Sequence, residues 1–166
     1  MWVSTLCRLG LSAVWLTSGA IKAADPLQSE VAVRAYQLLP ESLVRPVATT
    51  LPFLEIGLGL LLLLGVGVRP VAVASVALLV VFLAGVASSW ARGLSIDCGC
   101  FGGGGAADVG PLDYLAEIVR DVGFVLLALW LVARPRTPFA VGPASQAQPG
   151  WPDAEPGDDT GGGQCA

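Results

Sequence analysis

Four apolar stretches dominate the chain, at residues 2–24, 47–68, 70–90 and 111–133. Each approaches or exceeds the roughly 20 residues that a helix needs to cross a bilayer. Lipid offers no partner for backbone N–H and C=O groups, so such stretches must be helices or closed barrels, and their lengths select helices. Composition agrees: 54% of the 166 residues are hydrophobic and 13% charged, about half the charged share of a soluble domain. The expected fold is all-α, an integral membrane four-helix bundle over residues 1–133. Residues 134–166, rich in Pro, Gly and acid, form a tail expected to be disordered because it cannot bury enough apolar surface to order itself. The expected partner of most of the chain is the lipid bilayer itself.

A competing reading makes the first stretch a signal peptide with Ser18-Gly19-Ala20 as its small-x-small cleavage site. The absence of basic residues ahead of the apolar run counts against it. The turn GVGVRP at residues 65–70 predicts a tight hairpin between the second and third stretches. Small residues in the third, including Ala72, Ser75 and Gly85, allow close helix packing. Between the first and second stretches, residues 29–39 read as a short amphipathic helix resting on the membrane surface and ended by Pro40. Trp2, Trp15, Trp90 and Trp130 read as interfacial belts.

Polar residues that interrupt this pattern are the functional candidates. The chain has no His, which excludes imidazole ligands and an imidazole general base. It has no basic patch of the kind that binds nucleic acid, and the glycines at 102–105 lack the Lys-Ser/Thr of a phosphate loop. Within the second and fourth stretches stand Glu55, Glu117, Arg120 and Asp121. Charges at such depth are costly and face a partner or a wet cavity. The 3.6-residue period places Glu55 and Arg120 at similar depth, so a pair between them is expected. Lys22 ends the first stretch, as a snorkelling anchor or as the residue that closes a polar pocket with Glu55, Glu117 and Arg120.

Between the third and fourth stretches lies SIDCGCFGGGG. Cys98 and Cys100 are separated only by Gly99. A disulfide across one intervening residue closes a small, strained ring, and strained disulfides exchange readily. The chemistry expected of the pair is thiol–disulfide exchange, one thiolate attacking and its neighbour resolving. Asp97 disfavours a thiolate, and Arg92 and Lys22 are the cations available to oppose it. A non-catalytic membrane scaffold and a thiolate metal-binding protein stay open as alternatives; two thiolates supply half of a tetrahedral zinc site, so no metal set is assigned. Basic residues near the ends of the stretches are evenly divided, so the positive-inside rule does not orient the chain. The cysteine loop is placed on the extracytoplasmic side, in a cell membrane, because an oxidising compartment suits a dithiol.

The runs WLTSGAIKAADP, AYQLLP, LPFLEIGLGLLLLLG and ARGLSIDCGCFG, in that order, resemble the methylamine-utilisation MauE proteins, which group with DoxX-like four-helix membrane proteins. The resemblance covers residues 5–133. It implies a role in maturing the small subunit of methylamine dehydrogenase, a disulfide-rich extracytoplasmic substrate, beside a thioredoxin-like protein. By analogy with other four-helix thiol oxidoreductases, a quinone is the expected electron carrier that regenerates the pair.

Overall fold

A computed structural model describes residues 2–94, 96–97, 105–106 and 110–134. The tail expected to be disordered lies outside the described residues, apart from Arg134. The described residues form five helices, α1 Trp2–Ala24, α2 Pro26–Ala35, α3 Glu41–Leu64, α4 Val68–Ala91 and α5 Pro111–Ala133, plus a two-residue antiparallel pair, β1 Ile96–Asp97 and β2 Gly105–Ala106. The all-α expectation therefore holds. Two helices, α3 and α4, are long and apolar enough to cross a membrane by length and composition. Helix α1 packs on α3 and α4 on α5; the two pairs meet through α1–α5 and α3–α4 contacts.

Local chemistry sets the helix ends. Asp25 caps α2, accepting the Gln28 N–H at 3.0 Å, and Pro26 opens the helix where no N–H is needed. This moves the connector helix to Pro26–Ala35 rather than the expected 29–39; it stops because Gln37 adopts a left-handed φ of 51°. Helix α3 begins at Glu41, earlier than the apolar run at 47, and carries Pro46 and Pro52 inside it. Around the first, Thr49 and Thr50 donate back to the carbonyls of Arg45 and Pro46 at 2.8 and 2.9 Å. Helix α3 ends at Gly65, φ 72°, whose N–H bonds Leu62 O while Val66 N–H bonds Leu61 O. That left-handed cap favours glycine. Only Gly65, Val66 and Gly67 separate α3 from α4, and Pro70 falls in the first turn of α4, where proline is tolerated.

The main core gathers Leu11 and Trp15 of α1, Leu58 and Leu62 of α3, Ala72 and Leu79 of α4, and Ala128 and Leu131 of α5. Trp15 thus departs from the expected belt. It is 2% exposed and its indole N–H donates to Ser75 Oγ at 3.1 Å, so the residue is core, while Trp2, Trp90 and Trp130 stay exposed. The polar handle of a buried Trp needs an acceptor, and a small residue one helix away supplies it. On the outside the arrangement reverses. Phe53 is 68% exposed and Val81 64%, with Leu60, Leu63, Val80 and Leu126 exposed beside them.

The tightest helix approach is α1 on α3. A Cβ on Gly19 would stand 2.7 Å from Ile56 Cγ1 and 2.9 Å from the Pro52 carbonyl; one on Gly59 would stand 2.8 Å from Leu16. Ser12 Oγ donates to Gly59 O at 2.8 Å across the same seam. Gly19→Ala, which puts a methyl against backbone, should force α1 away from α3 and cost about 1–3 kcal/mol, the range for overpacking. Gly10→Ala, with nothing within 4 Å, should be neutral or stabilising. Thermal unfolding of the two variants beside the parent checks this.

Candidate functional site

Ser18 and Lys22 lie four residues apart on α1 and so share a face. Gly19, on the neighbouring strip, lets that face close on α3. There Glu55 is completely buried. Lys22 Nζ stands 2.5 Å from Glu55 Oε1, and Ser18 Oγ donates to Oε2 at 3.0 Å. Both carboxylate oxygens therefore have a partner, which is what a buried charge demands. Phe82 of α4 lies beneath the ammonium, 5.1 Å from Nζ to the ring centroid.

Helix α5 brings a second ion pair. Asp121 is buried and accepts from Arg120 Nε at 3.3 Å. The two pairs each balance when ionised, and Arg8 of α1 is a further buried cation. Glu117 sits half-buried on α5, three residues before Arg120 and four before Asp121. Asp113 is spent at the start of α5, accepting the Gly110 N–H at 2.7 Å.

The expected Glu55–Arg120 pair is replaced by two others, Glu55 with Lys22 and Arg120 with Asp121. Depth arguments alone cannot tell which helix lies nearest Glu55. The Gly19 and Gly59 seam makes it α1, whose lysine reaches the carboxylate. Lys22 accordingly turns inward, its side chain 12% exposed, and is not a snorkelling anchor. Ser18 and Phe82 were not among the sequence candidates. Ser18 had a signal, its four-residue offset from Lys22; Phe82 had none, because only the fold brings α4 to α1.

Cys98 and Cys100 lie outside the described residues, which at the base of their loop are Ile96–Asp97 and Gly105–Ala106. Ile96 pairs with Ala106 and Asp97 with Gly105. Tyr114 of α5, buried, fastens this base: its hydroxyl donates to Leu94 O and accepts the Ile96 N–H at 3.0 Å. Its ring stacks on Trp90, 6.2 Å between centroids and 6° between planes. Strand β2 packs against α2. The cations expected to act on the thiols have other partners. Arg92 donates to Tyr36 O and Ser88 O, and Lys22 is held by Glu55.

Removing one member of the Lys22–Glu55 pair strands the other in a dry interior. Lys22→Met or Glu55→Leu alone should each cost about 3–5 kcal/mol, and the double replacement should recover most of it. A double-mutant cycle on unfolding free energies reads this; additive losses would deny the pair. The same cycle on Glu55 and Arg120 should show little direct coupling.

The family model described as "Methylamine utilisation protein MauE" matches residues 1–134. The chain is 40% identical over 114 residues to a methylamine utilization protein MauE of Paracoccus denitrificans, covering 68% of this chain and 58% of that protein. It is 42% identical over 73 residues to one of Methylorubrum extorquens, covering 43% of this chain and 39% of the relative. The chain thus spans less than two thirds of the length of the curated relatives it matches. No solved structure matches it. The family match takes in the α1–α3 seam, the buried ion pairs and the cysteine loop together, and the chain belongs to the methylamine utilisation protein MauE family.

Proposed function

We propose that this chain is a multi-pass membrane protein of methylamine utilisation in which Cys98 and Cys100 carry out thiol–disulfide exchange with an extracytoplasmic partner. The membrane reading is supported by the outward-facing apolar surface of Phe53, Leu60, Val81 and Leu126, an exposure that soluble monomers avoid, and by the span-forming length of α3 and α4. On this reading α1, α3, α4 and α5 are four spans of one bundle, and α2 lies at the surface. The family's name supports the pathway.

The observation that carries the exchange reading is the fastened base of the cysteine loop. Tyr114 and the β1–β2 pair hold the chain on both sides of residues 98–104. On this reading that base, next to the helix ends, is the platform from which the dithiol meets a partner. In the forward step the Cys100 thiolate attacks a partner disulfide. That S–S bond breaks, a mixed disulfide forms, and one partner sulfur leaves as thiolate. Cys98 then attacks the mixed disulfide, which closes the Cys98–Cys100 bond and frees the partner as a dithiol. Run backwards, the same steps oxidise a dithiol partner, either a thioredoxin-like protein or a disulfide-rich substrate. The reduced pair left behind then needs a two-electron acceptor.

Two measurements test this. Reporter fusions after Arg136 and within residues 102–105 should report opposite sides of the membrane; the same side for both would remove the four-span reading. Cys98→Ser should accumulate a covalent complex, visible on non-reducing gels of native membranes and absent in Cys100→Ser. If neither variant traps a partner, and the double Cys→Ser chain still supports methylamine-dependent growth of a host lacking its own copy, exchange is excluded and a scaffold role takes its place.

A further inference from the structure

A cavity of about 510 Å³ lies between α1, α2, α3 and α4, within the size range of small-molecule sites. Helix α2 roofs it with Ala32 and Val33, and Tyr36 adds to the roof from the helix's C-cap. The spans wall it with Val47, Ala48 and Leu51 of α3 and Leu78, Val81 and Phe82 of α4. Val81 is also one of the most exposed aliphatics of the outer face, so the cavity is continuous with the surface assigned to lipid. Its polar groups gather in one place. Lys22, Asp25, Gln28 and Ser29 line it together, and Ser29 Oγ bonds the carbonyls of Lys22 and Asp25. The ligand this shape selects is amphipathic, with an apolar tail and a small polar head.

The head's charge and form follow from the same residues. Lys22 is held by Glu55, and Asp25 stands beside it, so the polar end has one cation against two carboxylates. An anionic head, whether phosphate or carboxylate, is repelled. An uncharged head with acceptor oxygens is welcome, because an ammonium carries three donors and the Glu55 bond uses one of them. Two aromatic rings, Tyr36 and Phe82, line the walls and favour a flat head. Tyr36 packs against Gly85, where a Cβ would stand 3.4 Å from its ring. Tyr36 also belongs to the small core that holds Ile96 and Tyr114, so one side chain joins the cavity wall to the base of the cysteine loop.

We propose that this cavity binds an uncharged, ring-headed, apolar-tailed lipid of the quinone class, its head at Lys22 and Gln28 and its tail along Leu51, Leu78 and Val81. Its redox role rests on the exchange reading above. There the Cys98 and Cys100 thiols give up two electrons and two protons as their S–S bond forms, and the quinone takes both to become the hydroquinone.

The test is equilibrium dialysis of decyl-substituted benzoquinone against the purified full chain in micelles. Saturable binding of one quinone per chain is expected, resistant to competition by phosphatidylglycerol or laurate. Ala48→Phe and Ala32→Phe fill the cavity from two different helices. Each should weaken binding about tenfold or more, as expected when bulk occupies a ligand's space, with the melting temperature retained. If both fail to fold, quenching decides: Trp15 lies 6.4 Å from Phe82, so bound quinone should quench fluorescence that Trp15→Phe removes. No saturable binding, equal competition by phosphatidylglycerol or laurate, unchanged affinity in the filled variants, or quenching that survives Trp15→Phe overturns the proposal. The double Cys98→Ser, Cys100→Ser chain should bind quinone like the parent. Binding retained there, with no mixed disulfide trapped in the single variants, sinks the exchange reading alone. Trapping without quinone binding sinks the cavity assignment alone.

Discussion

The contact between Lys22 and Glu55 is the constraint that the rest of the structure accommodates. A carboxylate with no solvent exposure needs a cation and a second donor, and both come from one face of α1, four residues apart. That requirement fixes the rotation of α1 about its axis and its height against α3. Gly19 and Gly59 are the steric consequence, since the helices must close far enough for a lysine head and a serine hydroxyl to meet the same carboxylate. The rotation then buries Trp15 against Ser75 and sends the lysine over Phe82, which sets α1 against α4. Helix α5 joins by packing, Ala128 and Leu131 meeting Leu11 and Trp15 in the shared core.

The same contact explains why α2 is where it is. Lys22 lies near the end of α1, and Ser29 bonds back to its carbonyl. The connector must therefore turn at once, and Asp25 with Pro26 makes that turn. Arg34 closes the far end, donating to Glu30 at 2.9 Å and to Glu41 at 2.5 Å. These side chains are substantially exposed and such pairs hold little energy, so the clip orients α2 more than it stabilises it. What holds the roof is the packing of Ala32 and Tyr36 and the bond from Arg92 to Tyr36 O. Because β2 also packs on α2, the β1–β2 pair, the roof and the buried pair form one connected end of the described residues.

Much of this architecture is legible in the chain before any coordinates. The helices α1 and α5 coincide with the apolar stretches at 2–24 and 111–133, because there hydropathy and helix caps change at the same residues. They part company at α3, where apolarity starts at 47 but the helix starts at Glu41, because Glu41, Ser42 and Arg45 make its opening turns polar. Charged residues inside apolar runs marked Glu55, Arg120 and Asp121 as special. Their pairing was not legible, because periodicity gives depth along a helix and says nothing of which helix is adjacent. Trp15 illustrates the same limit. Its position suits a belt or a core equally, and only Ser75 on α4 decides.

The two halves of the candidate machinery differ in how they depend on the fold. The proposed dithiol chemistry is local: it would need Cys98, Gly99 and Cys100 and a platform, and three adjacent residues suggest it. The cavity and the buried pair are distributed over helices brought together by packing, so no short motif contains them. Tyr36 is where the two meet, with its ring against Gly85 on one side and the Ile96 cluster on the other. A larger residue at 85 would push that ring toward β1, and a smaller one at 36 would open the cavity toward the loop base. On the proposed reading, coupling between the dithiol and the cavity needs a shared wall, and Tyr36, packed against Gly85, is the side chain that lines both the cavity and the Ile96 cluster.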